Sequence, residues 1–548
     1  MPAGAGSSPR PLDGAALHDW THTAVLQLIA HTDEINLLNV YPVADADTGT
    51  NMLFTMRSAG AAAHEALVAF GNDPVAVARG LAAGAVRGAR GNSGVILSQI
   101  LRGVADGATE AADRRGALAE IDAEVYSAAL NQAVVLAVAS VGEVVPGTIV
   151  SVLQAAAAAA QGASTLIDAV LAAADAAAVA LEHTPEQLDV LAEAGVVDAG
   201  GRGLLVLLDA MTATLTGTLP SRPLYRPAPP APAEHHHDCA AASTPQFEVM
   251  YLLDGCSPAG VELLRDRLDR LGESVAIAAS TVGDQYSVHV HADDAGAAIE
   301  AALNLGAVSR IQVTALTGGA AARPAGGWSR DRAVLAIVDG AGAGELFDGE
   351  GACVLACTDG AISAQQLLAG LVGTGAAQIM VLPNGYLAAE ELVAGCTTAI
   401  SWGMDVVPVP AGSMVQGLAA LAVHDAARQA VDDGYTMARA AAGVRHGAVR
   451  IAAEEAWTWA GMCKPGDGLG IAGDEVLIVS ADLTSAATGL IDLMLTSGGE
   501  LVTVLTGAGV DPQVGVALAD HVRREHLGAE LVTYHTGHRG DALLIGVE

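Results

Sequence analysis

Asp45-Ala46-Asp47-Thr48-Gly49-Thr50-Asn51 sets two carboxylates one residue apart, followed by two hydroxyls and an amide. Pro42 ends the preceding helical pattern, so the pair is read on a loop. Oxygen donors at this density suit Mg2+, which takes a few carboxylates and completes its shell with water and phosphate oxygens. An Asp-rich turn or a helix N-cap uses the same residues, so the pair carries weight only in company. Its company is Gly88-Ala89-Arg90-Gly91-Asn92-Ser93-Gly94, before the apolar run Val95–Leu101, and Asp198-Ala199-Gly200-Gly201-Arg202-Gly203, before another. Glycines let backbone approach a ligand closely, and the free N–H groups at a helix start attract phosphate. A further loop, VVPGT, ends at Thr148. These loops contain neither a Walker A sequence nor a strand-led dinucleotide fingerprint.

A second chemistry is possible downstream. His289 and His291 stand two apart on a predicted strand, so both imidazoles face one side, which is half of a metal site. His235, His236, His237 and Cys239 sit in a proline-rich run, where composition favours a fortuitous cluster. Cys353 and Cys357, four apart on a predicted strand, read as buried apolar cysteines. Asp359-Gly360, Pro383-Asn384-Gly385 and Pro410-Ala411-Gly412-Ser413 fall at predicted strand ends, where open α/β sheets place ligands.

The elements that must position these groups divide the chain. Residues 1–219 read as helical, with Ala/Leu/Val periodicity and Gly-rich interruptions, and the most apolar helix is expected around Ile149–Leu181. Residues 220–245 are a Pro/His-rich spacer without a core of its own. Residues 246–317 run strand, helix, strand, strand, helix, strand, a ferredoxin-like α+β order. Residues 328–548 alternate short strands with helices, as a layered α/β domain does.

With 548 residues, several cores are expected. Hydrophobic residues make up 52% but aromatics only 3%, so Ala and Val supply the apolar content. The net charge of −35 repels nucleic-acid phosphates and anionic membranes, so neither is expected as a partner. No stretch reads as a membrane span or a signal peptide, and six scattered cysteines make no disulfide framework; a cytoplasmic protein is expected.

The runs INLLNVYPVADADTGTNM (Ile35–Met52), GARGNSGVILSQILRG (Gly88–Gly103), PGTIVSVL (Pro146–Leu153) and DAGGRG resemble a nucleotide-binding domain shared by two groups. One is the L subunit of dihydroxyacetone kinase; the other is the ATP-binding subunit of bacterial fatty acid kinase. The middle and C-terminal parts also resemble the second group. The resemblance implies an all-helical barrel capped by ATP and two Mg2+ ions. Asp45 and Asp47 would be metal ligands, with Asn39 near the metals. Thr48, Gly49 and Asn51 would approach the phosphates. Gly91, Asn92, Ser93 and Gly94 would hold phosphate or adenosine, and Thr148, Asp198 and Gly200 would border the nucleotide. In the resembled family a Cys on the first strand of the middle domain joins two histidines on zinc; here that position is Glu248, giving Glu248, His289 and His291. The family usually has Gly where this chain has Ala46, and a positive φ there would strain an alanine. The reaction implied is transfer of the γ-phosphate to the carboxylate of a fatty acid carried by a DegV-like binding protein, giving an acyl phosphate; a homodimer is expected. A dihydroxyacetone-type kinase and a nucleotide-binding regulatory protein without turnover are the alternatives.

Overall fold

The computed structural model describes residues 10–142, 144–226, 245–280, 283–316, 328, 330–358, 360–473 and 475–548. The spacer histidines His235, His236 and His237, Cys239 and Asp359 lie outside these. The chain forms two compact units, divided between residues 329 and 330.

The first unit begins, among the described residues, with nine α-helices: α1 (Gly14–Leu38), α2 (Thr48–Phe70), α3 (Pro74–Arg87), α4 (Gly91–Arg115), α5 (Ala123–Val141), α6 (Ile149–Ala160), α7 (Leu166–Glu182), the short α8 (Asp189–Ala194) and α9 (Ala199–Thr216). From α1 to α7 each helix packs on the next, and α9 lies against both α7 and α1, which closes a barrel. Small residues permit the close approach. A Cβ added at Gly103 on α4 would stand 2.5 Å from the Ala133 backbone of α5. The single apolar helix expected over Ile149–Leu181 is two helices: the chain turns after Ala160, and Thr165 restarts it by accepting from the Asp168 amide. Helix α5 has the length and apolarity to cross a membrane, but packs between α4 and α6 in the barrel.

Closure of the barrel carries a buried ion pair. Arg202 on α9 is 2% exposed, and its Nε donates to Glu34 Oε1 on α1 at 3.0 Å. Burial alone would raise the Glu34 carboxyl, but His31, Arg202 and the Tyr225 amide outweigh it and bring it down to about 2.

The unit continues with β1 (Phe247–Asp254), α10 (Pro258–Leu268), β2 (Gly272–Ala279), β3 (Gln285–Ala292), α11 (Ala295–Leu303) and β4 (Ala307–Ala315). The sheet order is β2-β3-β1-β4 with antiparallel neighbours, the ferredoxin-like arrangement expected. Strand alternation sorts the side chains. Val249, Tyr251, Leu253, Val288 and Val290 face the core shared with α10 and α11. Met250, Ala276 and Ala278 pack instead on Ala89 and Val95 of the barrel. Glu248, His289 and His291 belong by alternation to that barrel-facing side. Cys256 is buried in the helix-side core and takes no part in their cluster.

The second unit opens with β5 (Arg330–Val338), α12 (Ala341–Gly349), β6 (Cys353–Ala356), α13 (Ala364–Thr374), β7 (Ala376–Leu382), α14 (Ala389–Ser401) and β8 (Asp405–Pro408), a parallel sheet in the order β6-β5-β7-β8. After α15 (Met414–Ala422) and α16 (Ala430–Gly443) come β9 (Arg445–Ile451), the hairpin β10 (Ala456–Thr458) and β11 (Gly461–Cys463), β12 (Gly468–Ala472), β13 (Glu475–Ser480), α17 (Leu483–Leu495), β14 (Leu501–Thr506), α18 (Pro512–Glu525), β15 (Glu530–His535) and β16 (Leu543–Val547). A six-stranded mixed sheet, β13-β12-β9-β16-β14-β15, joins them. Cys357 lies just past β6 and is buried, whereas Cys353 on the strand is only half-buried.

Replacing Arg202 by Leu removes the guanidinium from Glu34, which keeps only His31 and the Tyr225 amide. The expected cost is about 3 kcal/mol, seen as a lowered unfolding midpoint for the first unit in thermal or denaturant melts. An unchanged midpoint would show that the pair does not hold the barrel shut.

Candidate functional site

The site begins where α1 stops. Asn39 caps α1, and its side-chain amide donates to Asp45 Oδ1. The loop then turns at Ala46, whose φ of 56° lies in the left-handed region. That conformation costs a non-glycine residue about 1–2 kcal/mol, and it sets the Asp45 and Asp47 side chains against each other in a direct hydrogen bond. Asp47 occupies the N-cap position of α2 without capping it, so its carboxylate stays with Asp45, supported by the Asn51 side chain.

Another residue serves the amides that Asp47 leaves open. Asn36 Oδ1 accepts from the Gly49 amide at 2.7 Å and the Thr50 amide at 3.3 Å, and its Nδ2 donates to Thr50 Oγ1 at 3.0 Å. The resemblance implies that Gly49 approaches the phosphates; here its amide is already engaged. A Cβ there would stand 2.6 Å from the Thr32 carbonyl, so glycine serves helix contact. Gly94 is similar: its amide bonds the Arg90 carbonyl, and a Cβ would meet Thr55 Oγ1 at 2.5 Å.

Gly91 begins α4 with φ 54°. A Cβ there would lie 2.3 Å from Asn51 Nδ2 and 3.7 Å from Glu248 Oε1, which places the Glu248 carboxylate over this turn. Burial, then the charges of Asp45 and Glu248, push Asp47 well above the usual carboxylate range. Asp45 is raised as well, by enclosure and by Glu248; since it still reaches solvent, the neighbouring charge matters more. Asp45 and Asp47 thus meet the Glu248 carboxylate around one point and bind protons more tightly than free carboxylates do, a load of negative charge that a divalent cation would relieve. The donor set fits Mg2+.

Arg90 is the cation beside this cluster. Its guanidinium is buried, makes no hydrogen bond among the described residues, and lies 4.2 Å from the Phe54 ring centre and 4.4 Å from that of Trp328. Burial, then the charge of Arg57, brings it down to about 9, still cationic at neutral pH. Neither Asn36 nor Arg90 stands out as a site residue in the sequence. Asn36 offers one signal, an amide one helical turn before Asn39.

A cavity of about 590 Å³ adjoins the cluster, within the range of small-molecule sites. Thr48, Asn92, Ser93, Thr148, Asp198 and Gly200 line it on the barrel side, and Arg265, Glu273 and Ser274 of the middle domain on the other. Asn92 Oδ1 is buried without a hydrogen-bond partner among the described residues. Asp198 caps α9 through the Gly201 amide at 2.7 Å and also accepts from the Ile149 amide at the start of α6. Burial raises it to about 6. Arg265 holds the middle domain to the rim by donating to the Ala139 and Ser140 carbonyls at the end of α5.

Glu248, His289 and His291 also converge, with their ligand atoms within 4.8 Å of one another. His289 Nδ1 faces the Ser274 carbonyl at 3.0 Å and its Nε2 faces Glu248 Oε1 at 3.1 Å. Both partners are oxygen acceptors, so a cation placed at Nε2 would satisfy the ring and the Glu248 carboxylate together. A ring with Nδ1–H on a backbone carbonyl and Nε2 free for a metal is the usual arrangement of a metal-bound histidine. Among the described residues His291 Nδ1 has no hydrogen-bond partner, and burial, then His289, lowers this ring to about 3, so it is neutral and able to ligate.

In the second unit, Asn384 and Gly385 after β7 and Gly412 and Ser413 after β8 line a separate cavity of about 290 Å³.

Three family descriptions match consecutive parts of the chain. The DAK2 domain matches residues 42–213, the middle domain of the FakA-like fatty acid kinases residues 244–323, and the C-terminal domain of the same FakA-like group residues 333–548. Protein YloV of Bacillus subtilis is 29% identical over 526 residues, covering 91% of this chain and 92% of its own. An uncharacterized protein of Staphylococcus saprophyticus is 26% identical over 95% of this chain and 96% of its own. Among solved structures, a DegV family protein from Corynebacterium glutamicum overlaps 39% of this chain and 95% of its own at 14% identity and a TM-score of 0.30. The dihydroxyacetone kinase from C. freundii in complex with AMP-PNP and Mg2+ overlaps 39% of this chain and 36% of its own at 20% identity and a TM-score of 0.27. Structural overlaps this low carry no functional weight. The domain matches are collinear, and two of them name one group over more than half the length, so the chain belongs to the FakA-like fatty acid kinase family.

Proposed function

We propose that this chain binds ATP with two Mg2+ ions in the barrel cavity and transfers the γ-phosphate to the carboxylate of a fatty acid presented by a separate DegV-like binding protein. The observation that carries the reading is the meeting of Asp45, Asp47 and Glu248 beside a cavity whose wall holds the unpartnered Asn92 Oδ1. Bound Mg2+ would offset the repulsion between an anionic acceptor and a polyphosphate. Asp45 and Asp47 would hold it, with Asn39 and Asn51 fixing their carboxylates. Asn92 and Ser93 at the start of α4 and Thr48 at the start of α2 would orient the phosphates; Thr148, Asp198 and Gly200 would border the rest of the nucleotide. A carboxylate acceptor is ionised at neutral pH, so no general base is required of the protein. Glu248, His289 and His291 are proposed to hold Zn2+, with Glu248 standing between that ion and the Asp pair.

Asp45→Asn or Asp47→Asn is expected to lower transfer from labelled ATP to fatty-acid-loaded binding protein by at least about a thousandfold, the scale of several kcal/mol of lost charge stabilisation. Acyl phosphate formed only with both proteins present supports the proposal. Transfer to dihydroxyacetone instead, or ATP binding with no transfer to either acceptor, overturns it.

Proton linkage gives a second test. Asp45, Asp47 and Asp198 hold protons more tightly folded than unfolded, so they stabilise the fold most below the unfolded carboxyl value of 3.8, and that contribution is lost as pH rises through the folded values, about 6 for Asp198. His291, lowered to about 3, adds stability as pH rises over the same range, so the test uses a His291→Ala chain; in it, without Mg2+, the melting temperature of the first unit is expected to fall from about pH 4 to pH 6. With Mg2+ the fall should shrink, because the ion replaces the protons on Asp45 and Asp47. A slope that Mg2+ does not alter counts against the metal assignment. Separately, Glu248→Ala is expected to reduce the zinc content of purified protein by elemental analysis; unchanged zinc would place the ion elsewhere.

A further inference from the structure

We propose that Asp492, His521 and His526 form a divalent transition-metal site of the zinc class that joins α17 to the end of α18 in the C-terminal unit. Asp492 Oδ1 lies 2.7 Å from His521 Nε2 and 2.7 Å from His526 Nε2. The three ligand atoms lie within 4.8 Å of one another, and the rings stand 6.1 Å apart between centres. The residues come from two helices separated by β14, so the fold brings them together. His521 lies one turn before the end of α18. His526 caps that helix with φ −127° and ψ 73°, and this departure from helical backbone brings its ring to the same oxygen.

Two imidazoles and one carboxylate are a donor set for Zn2+ and its neighbours, and Mg2+ and Ca2+ prefer oxygen alone. Tetrahedral bonds of about 2.0–2.1 Å put ligand atoms about 3.3 Å apart, so an opening of about half an ångström by side-chain rotation admits the ion. Asp492 lies in the last turn of α17 and the histidines at the end of α18, so both helix C-termini favour a cation here. The Asp492 side chain is 43% exposed, which leaves water access to complete the shell. This site is separate from the Glu248, His289, His291 cluster and does not rest on the proposed kinase activity.

The test uses the full chain carrying His289→Ala and His291→Ala, with His235, His236 and His237 also replaced by Ala, so that the other two histidine clusters are gone. Elemental analysis after Zn2+ loading and removal of free ion is expected to find one ion per chain, and Co2+ titration a visible d–d band of a low-coordinate site. Adding Asp492→Asn keeps an acceptor for both rings but removes the anionic ligand; affinity should fall at least about tenfold. Adding His521→Ala with His526→Ala should abolish the band, with folding checked by circular dichroism. No ion in the starting chain, or undiminished affinity after Asp492→Asn, overturns the site and leaves Asp492 as a hydrogen-bond bridge between two rings.

Discussion

The structure of the first unit is organised by the repulsion among three carboxylates. Asp45 and Asp47 come together with Glu248 although the Glu248 charge raises both of them and the Asp45 charge raises Asp47. Such a cluster persists only when the surrounding fold leaves it no alternative. Ala46 is held in a left-handed turn at a cost in strain, and Asn39 and Asn51 hold the two aspartates by their side chains. Asn36 takes over the α2 amides that Asp47 would otherwise cap. The third carboxylate arrives on a different domain, carried by a strand whose neighbours Met250, Ala276 and Ala278 pack on the barrel at Ala89 and Val95. Packing energy from that apolar contact brings a like charge where electrostatics alone would exclude it.

The same docking explains why Glu248 has two sets of partners. On one side its charge reaches Asp45 and Asp47; on the other its carboxylate meets His289, and Arg90 lies close enough to lower it. Burial works against the ionised form, but His289, then His291 and Arg90, keep the carboxyl below its usual range. Glu248 is thus the residue through which the charge state of the histidine cluster can reach the aspartate pair. An ion at His289 and His291 would draw Glu248 toward itself and reduce the negative charge that Asp47 meets.

How much of this could be read in the sequence depends on how local each feature is. The Asp45–Asn51 loop, the glycine turns before α4 and α9 and the histidine pair on β3 are local patterns, and the structure sets most of them around one cavity. The strand and helix order of the middle domain followed from alternation and periodicity. Asn36 and Arg90 were legible only as an ordinary helical amide and a loop arginine, because their roles depend on which helix or ring lies opposite. The break between α6 and α7 was hidden by an alanine run without a proline, where only Gly162 and the Thr165 cap marked the turn. In the C-terminal unit β9 and β12 of the six-stranded sheet carry little strand signal, because Arg-His-Gly and Gly-Leu-Gly weaken the apolar alternation that identifies strands.

Gly49 and Gly94 show how far a motif can mislead about cause. Both stand in loops that fit phosphate binding, and both sit at helix starts. Yet their amides are spent on Asn36 and on the Arg90 carbonyl, and the missing Cβ is needed against Thr32 and Thr55. Their contribution is to bring α1, α2 and α4 close enough for the side chains of Thr48, Asn51 and Asn92 to converge. Substitution by alanine at either position therefore acts first on helix spacing, and any effect on nucleotide would follow from displaced side chains.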